Sequence, residues 1–154
     1  MAADDARRLI DELGLEPHPE GGHFRRFHAS GIEVECNGRR RPAMTAIHYL
    51  LQGGERSRWH RVDADEAWHW QQGDALELLQ FDEATRSLAK IRLGPGGDAT
   101  GIVPAGAWQS ARPLGGHVLV VCTVSPGFVW EGFELLDPDS ALAAELLHVE
   151  TLHP

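Results

Sequence analysis

From His23 onward the chain is cut into short runs of strand length, each bounded by glycine, proline, asparagine or aspartate, and this punctuation limits its fold more than anything else. The runs are His23–Ser30, Ile32–Cys36, Ala43–Leu51, Arg58–Val62, Glu66–Gln71, Leu76–Phe81, Leu88–Leu93, Ala107–Arg112, Val118–Thr123 and Phe128–Leu136. Asn37-Gly38 is a dipeptide that two-residue hairpin turns favour, and after Glu83 to Arg86 the residues Ala89, Ile91 and Leu93 alternate with Lys90 and Arg92. Many short strands at regular spacing predict an all-β sandwich or barrel.

The two ends read differently. Ala6, Leu9, Ile10 and Leu13 recur at helical spacing up to Gly14, predicting a short helix over about 4–13. Asp137-Pro138 supplies a cap and a first-turn proline, and Leu142, Leu146 and Leu147 predict a second helix over about 138–148. With 154 residues there is room for one core, so 1–154 is expected to be one domain with its barrel over about 23–136.

Charge narrows the partners. Acidic residues number 23 against 14 basic ones, a net charge of −9, which repels a phosphate backbone or an anionic bilayer, so neither nucleic acid nor membrane is expected. The N-terminus lacks an apolar h-region and the run Val118 to Cys122 is too short to span a bilayer, so the chain is expected to be cytoplasmic. Cys36 and Cys122 lack zinc-type spacing and are expected to be reduced, with Cys122 in the core. No Gly-x-Ser-x-Gly elbow and no phosphate-binding glycine loop is present, which excludes the commonest hydrolase and nucleotide signatures.

Chemistry concentrates between Gly54 and Gly73. Side chains two apart on a strand share a face, so His60 goes with Val62, and Glu66 with Trp68 and Trp70; a hairpin brings His60 and Glu66 together. Gln109 follows the Pro104-Ala105-Gly106 turn and is placed to face both. A buried histidine of this kind is more often a hydrogen-bonded core residue than a ligand, and most of the five tryptophans are more simply core.

The arrangement resembles the cupin superfamily, whose first motif reads G-x5-H-x-H-x3,4-E-x6-G and whose second contains P-x-G-x2-H. Gly54, His60, Glu66 and Gly73 match the first, and Pro104 and Gly106 match the second. More narrowly, His18-Pro19-Glu20-Gly21-Gly22, Thr45 to Leu51, Asp65 to Trp70 and Cys122 to Phe128 resemble the cupin-5 branch, also called domain of unknown function 985. The resemblance runs from about residue 5 to residue 137 and implies a cupin double-stranded β-helix, or jelly-roll barrel, with a short helix at each terminus. It also implies a barrel pocket containing His60 and Glu66, with Glu20 at its mouth. In that pocket His60 and Glu66 are expected to act as acid and base, Trp68 and Trp70 to stack on a ligand and Gln109 to contact it, while Ser57 and Arg58, just before His60, either line the mouth as ligand-binding residues or form a solvated edge.

Metal-binding cupins use three histidines and a glutamate, and here Val62 and Gln109 stand at two of the histidine positions. A divalent metal held weakly by His60, Glu66 and Gln109 is the expectation. Three functions follow in order: a sugar-type isomerase or epimerase acting on a small molecule, a non-catalytic ligand-binding or sensor module, and a metal-dependent oxygenase. Open edges at strands such as His23–Ser30 and Ile32–Cys36 lead us to expect a homodimer. If His60 and Glu66 are unsatisfied groups in an apolar pocket, His60→Ala and Glu66→Gln should leave the melting temperature unchanged or raise it.

Overall fold

The computed structural model describes residues 2–152; residues 1, 153 and 154, the ends of the expected domain, lie outside the described residues. The order of elements is α1 (Ala2–Leu13), β1 (Glu16–Pro17), β2 (His23–Ala29), β3 (Glu33–Cys36), β4 (Arg39–Pro42), β5 (Thr45–Gln52), β6 (Ser57–Val62), β7 (Asp65–Gly73), β8 (Leu76–Asp82), β9 (Ser87–Leu93), β10 (Thr100–Val103), β11 (Trp108–Pro113), β12 (His117–Ser125), β13 (Phe133–Leu135) and α2 (Ala141–Leu152). Two antiparallel sheets form a jelly-roll barrel. One has the order β1-β2-β5-β12-β7-β10 and the other β13-β6-β11-β8-β9, with β3 and β4 as a separate hairpin.

Local chemistry explains the turns. Asn37 and Gly38 both take positive φ, 52° and 75°, the geometry of a turn whose twist matches the strands it joins. The Asp82 side chain accepts the Ala84 amide at 2.8 Å and so closes the β8–β9 turn. Helix α1 buries Ala6 and Leu9 together with Leu50 and Leu119 on the outer face of the first sheet.

Four segments depart from the expected strands. Glu16–Pro17, Arg39–Pro42 and Thr100–Val103 are strands outside the expected set. Arg41 looks out of place in a strand, yet it is buried, because Nη1 and Nη2 grip the two Asp63 carboxylate oxygens at 3.0 and 2.9 Å and Nε donates to the Gly127 carbonyl at 2.7 Å. The stretch Phe128–Leu136 is not one strand: a 3-10 turn at Trp130–Gly132 interrupts it and only Phe133–Leu135 pairs, with β6. Its beginning is tied elsewhere, the Gly127 amide to the Pro42 carbonyl at 2.7 Å and the Phe128 amide to Thr45 Oγ1 at 2.9 Å.

The barrel is filled at one end only. Tyr49, Leu51, Trp68, Leu76, Leu78, Leu93, Val118 and Val120 pack between the sheets as a continuous apolar core. Towards the other end the inward residues are His60, Val62, Glu66 and Val124, and space opens among them. Among the described residues no helix is long and apolar enough to cross a membrane.

Candidate functional site

The opening is a cavity of about 310 Å³ whose lining comes from both sheets, from the segment 18–20 and from the loop 128–131. His18, Glu20, His60 and Glu66 are its polar residues inside, Arg26 and Glu131 stand with the lining residues as a further charge of each sign, and Phe24, Ile47, Phe128, Trp130 and Phe133 supply much of the apolar wall. That volume suits a small metabolite.

His60 reaches the cavity through an irregularity in its strand. Gln109 pairs with His60 and Ala111 with Ser57, so two residues of β6, Arg58 and Trp59, oppose the single Ser110 of β11. This β-bulge lets both Ser57 and His60 face inward, although alternation alone would put them on opposite faces. His60 Nδ1 lies 2.7 Å from the Arg58 carbonyl, inside the bulge, and 2.7 Å from Glu20 Oε2. Both neighbours are acceptors, so Nδ1 carries a proton and Nε2 is the nitrogen left for chemistry.

Glu20 arrives from the loop His18-Pro19-Glu20-Gly21-Gly22. Gly21 has φ 110° and Gly22 φ 76°, and the Glu20 carbonyl accepts the Arg58 amide at 2.7 Å, which docks the loop on β6. Ser57 Oγ donates to Glu20 Oε2 at 3.0 Å. The Glu20 amide donates to His18 Nδ1 at 3.1 Å, so the neutral His18 ring carries its proton on Nε2. A Cβ at Gly21 would sit 2.2 Å from the Arg56 carbonyl, whereas one at Gly54, also at positive φ, would meet nothing. Gly21→Ala is therefore expected to cost about 1–3 kcal/mol from backbone strain and more from the clash, and Gly54→Ala the strain alone; equal losses in urea denaturation would refute this role for Gly21.

Glu66 is set from behind. Gln109 Nε2 donates to Glu66 Oε1 at 2.8 Å, and Gln109 Oε1 accepts from Trp68 Nε1 at 2.8 Å, which fixes the direction of the amide. Burial pushes the Glu66 carboxyl up to about 7, the protonated form being favoured where water is excluded, while His60 and the Gln109 donor oppose the rise and Glu20 adds to it. Burial acts against charging His60, but the Glu20 carboxylate overrides it and holds the imidazole above its ordinary value. Burial likewise presses on Glu20, and His60, His18 and Ser57 carry it below the carboxylate range. His18 is lowered, chiefly by burial, so it stays neutral. A paired Glu20 carboxylate and His60 imidazolium thus stand beside a Glu66 that changes charge near neutrality.

The expected residues therefore divide. His60, Glu66 and Glu20 meet in the cavity, with Gln109 behind Glu66 and Ser57 on Glu20. Arg58 is exposed with Nη2 on the Pro19 carbonyl, away from the cavity lining. Trp68 is fully buried in the packed half, and Trp70 lies beside an irregularity in the β12–β7 register, with Nε1 donating to the Asp74 carbonyl at 3.1 Å. Neither is among the lining residues. The aromatic wall comes instead from Phe24, Phe128, Trp130 and Phe133, of which Phe128 and Trp130 belong to the loop read as strand. Their spacing two apart after Pro126-Gly127 is the signal that could have marked them.

The expectation that His60 is unsatisfied does not hold, because Glu20 and Arg58 both engage it. Nor do the donors suit a transition metal. Val62 has no ligating atom, and Gln109 spends its oxygen on Trp68 while turning its amide N–H towards Glu66. Among the described residues no group of three His, Cys, Asp or Glu side chains gathers to hold a metal ion.

Residues 7–136 match the family described as Cupin superfamily (DUF985). A hypothetical protein from Leishmania major is 31% identical over 96% of this chain and 93% of that one, with a TM-score of 0.80. A Shewanella oneidensis protein solved by X-ray crystallography is 32% identical over 93% of this chain and 91% of its own, with a TM-score of 0.83. Oxalate decarboxylase from Bacillus subtilis is similar in fold, at 15% identity and a TM-score of 0.59, over 84% of this chain and 33% of that one. No curated protein matches the sequence.

Proposed function

Because this chain belongs to the cupin superfamily (DUF985) and its barrel encloses a cavity with titratable side chains, we propose that it binds a small metabolite there and moves a proton on it, as an isomerase or epimerase does. The observation that carries this reading is Glu66, buried, lining the cavity and titrating at about 7, beside a histidine kept charged by a second carboxylate. A general base works best with a pKa near the working pH.

The step is a proton transfer next to a carbonyl. The Glu66 carboxylate takes the proton from the carbon beside the carbonyl; the C–H electron pair forms a C=C bond and the carbonyl oxygen takes up the negative charge. His60 Nε2–H gives its proton to that oxygen; for epimerisation it takes that proton back as Glu66 returns its own to the opposite face of the same carbon after the intermediate turns, and for isomerisation it takes up instead the hydroxyl proton of the neighbouring carbon, which becomes the new carbonyl as Glu66 protonates the old one. Glu20 and the Arg58 carbonyl hold one proton on His60 Nδ1, and by favouring the charged ring Glu20 puts the second on Nε2, where the step needs it.

The test is exchange of carbon-bound hydrogen in D2O, followed by proton NMR over a panel of aldoses, ketoses and 2-oxo acids. Wild type is expected to exchange at least one substrate, with the rate rising with pH through about 7 as Glu66 ionises and falling again once pH passes the raised value at which His60 loses its proton. Glu66→Gln should lower it by roughly 10²–10⁴. Binding without exchange across the panel would leave a non-catalytic ligand-binding module, and exchange unaffected by Glu66→Gln would remove Glu66 from the reaction.

A further inference from the structure

Among the polar atoms of the lining residues that have no hydrogen-bond partner within the described residues are His18 Nε2, His60 Nε2 and Glu66 Oε2. They are not sealed in, since the buried polar atoms lacking both partner and access are His23 Nδ1 and His117 Nδ1. All three residues line the same cavity. Their polarity is set by the atoms behind them. His18 Nδ1 is occupied as an acceptor by the Glu20 amide, so Nε2 must donate; His60 Nδ1 donates to Glu20 and Arg58, so in the charged ring Nε2 donates as well. The His18 ring is also held in orientation, with Phe24, Tyr49, Trp130 and Phe133 ring centroids at 4.5 to 6.1 Å around it.

We propose that His18 is a catalytic residue and that His18 Nε2 and His60 Nε2 together form a site for a planar oxyanion, a carboxylate or an enolate, on a small molecule whose flat apolar body lies against Phe24, Phe128, Trp130 and Phe133. This rests on the proton-transfer reading and adds to it the second donor and the class of molecule. Two N–H donors lining one cavity, each set by the partner on its other ring nitrogen, recognise negative charge where it develops. With Glu66 protonated, the surrounding charges balance: Glu20 against His60, and Arg26 against Glu131, with the His18 ring and the Cys122 thiol neutral. An anion then enters without meeting a net negative charge. With Glu66 ionised it would face an unpaired carboxylate, so anion binding takes up a proton.

The experiment is isothermal titration calorimetry of the full chain with benzoate, benzamide and benzylamine at pH 6 and pH 8, with benzoate repeated at pH 7 in two buffers of different ionisation heat. Benzoate should bind at least tenfold more tightly than benzamide at pH 6, weaken at least tenfold by pH 8, and take up a fraction of a proton at pH 7. His18→Phe should abolish the preference for benzoate over benzamide, and His18→Gln, which restores an N–H, should recover part of it. Benzamide or benzylamine equalling benzoate, no proton uptake, no binding of any of the three, or His18→Gln behaving as wild type while His18→Phe folds and also does so would each overturn the proposal. If His18→Phe does not fold, the comparison of the three probes and the proton uptake decide. Benzoate binding with no hydrogen exchange on any substrate defeats the proton-transfer reading and leaves the anion site standing; exchange without benzoate binding does the reverse.

Discussion

His60→Ala will destabilise the protein by about 3–5 kcal/mol at pH 6, the usual loss when one member of a buried ion pair is removed and the other stays behind. The partner left behind is the Glu20 carboxylate, which is 5% exposed and keeps a hydrogen bond from Ser57 Oγ, with neutral His18 beside it. The sign with pH follows from the two shifts. Glu20 is lowered, so its contribution is present above the ordinary carboxylate value of 4.5 and is lost as the solution is acidified through its folded value. His60 is raised, so its contribution is present below 6.5 and is lost as pH climbs through its folded value. The window between the two is where the pair stabilises most. Urea denaturation of wild type, His60→Ala, Glu20→Gln and the double variant closes a thermodynamic cycle. A coupling of at least about 2 kcal/mol is expected, because the double variant leaves no buried charge uncompensated. A His60→Ala protein within 1 kcal/mol of wild type would show that the carboxylate does not need the imidazole.

Glu66→Gln works in the opposite direction. A carboxyl that titrates at about 7 in the folded protein and at 4.5 when exposed gives the folded state an excess of bound protons between those values. Stability therefore falls as pH rises from 4.5 to 7 and stays lowered above, by roughly 3 kcal/mol at about 1.4 kcal/mol per pH unit. Glutamine removes that penalty and keeps an Oε1 to accept from Gln109 Nε2. The variant is expected to exceed wild type by roughly 3 kcal/mol at pH 8 and by almost nothing at pH 4.5, in thermal or urea unfolding. A gain independent of pH, or a loss at pH 8, would contradict a Glu66 destabilised by its own charge. The same substitution removes the proposed base, so greater stability and lost exchange should appear together.

The barrel was legible because its information is local. Strand alternation, the Asn37-Gly38 turn and the spacing of His60 and Glu66 each depend on neighbouring residues. What strand alternation could not reveal is non-local or irregular. The bulge at Arg58 and Trp59, which turns both Ser57 and His60 inward, is a matter of register against β11. Glu20 becomes the partner of His60 only through the docking of its loop on the Arg58 amide, so treating His60 as unsatisfied was natural from the strand alone. The tryptophans misled for a related reason. Trp68 has the inward parity of Glu66, but the barrel is packed at that level, and its indole N–H is absorbed by Gln109. Trp130 was passed over because a strand was expected where the chain instead crosses the cavity rim.

The way that rim is fastened limits how the mouth of the cavity can move. The Gly127 amide and carbonyl are held by Pro42 and Arg41, and the Phe128 amide and carbonyl by Thr45 and Arg26. A backbone pinned on both sides of two successive residues does not swing as a flap. Beyond those anchors stands Trp130, half exposed and in ring contact with Phe128 and Phe133. Movement at this rim is left to side chains such as Trp130, and exposed side chains exchange rotamers in nanoseconds or less, against microseconds to milliseconds for a closing lid.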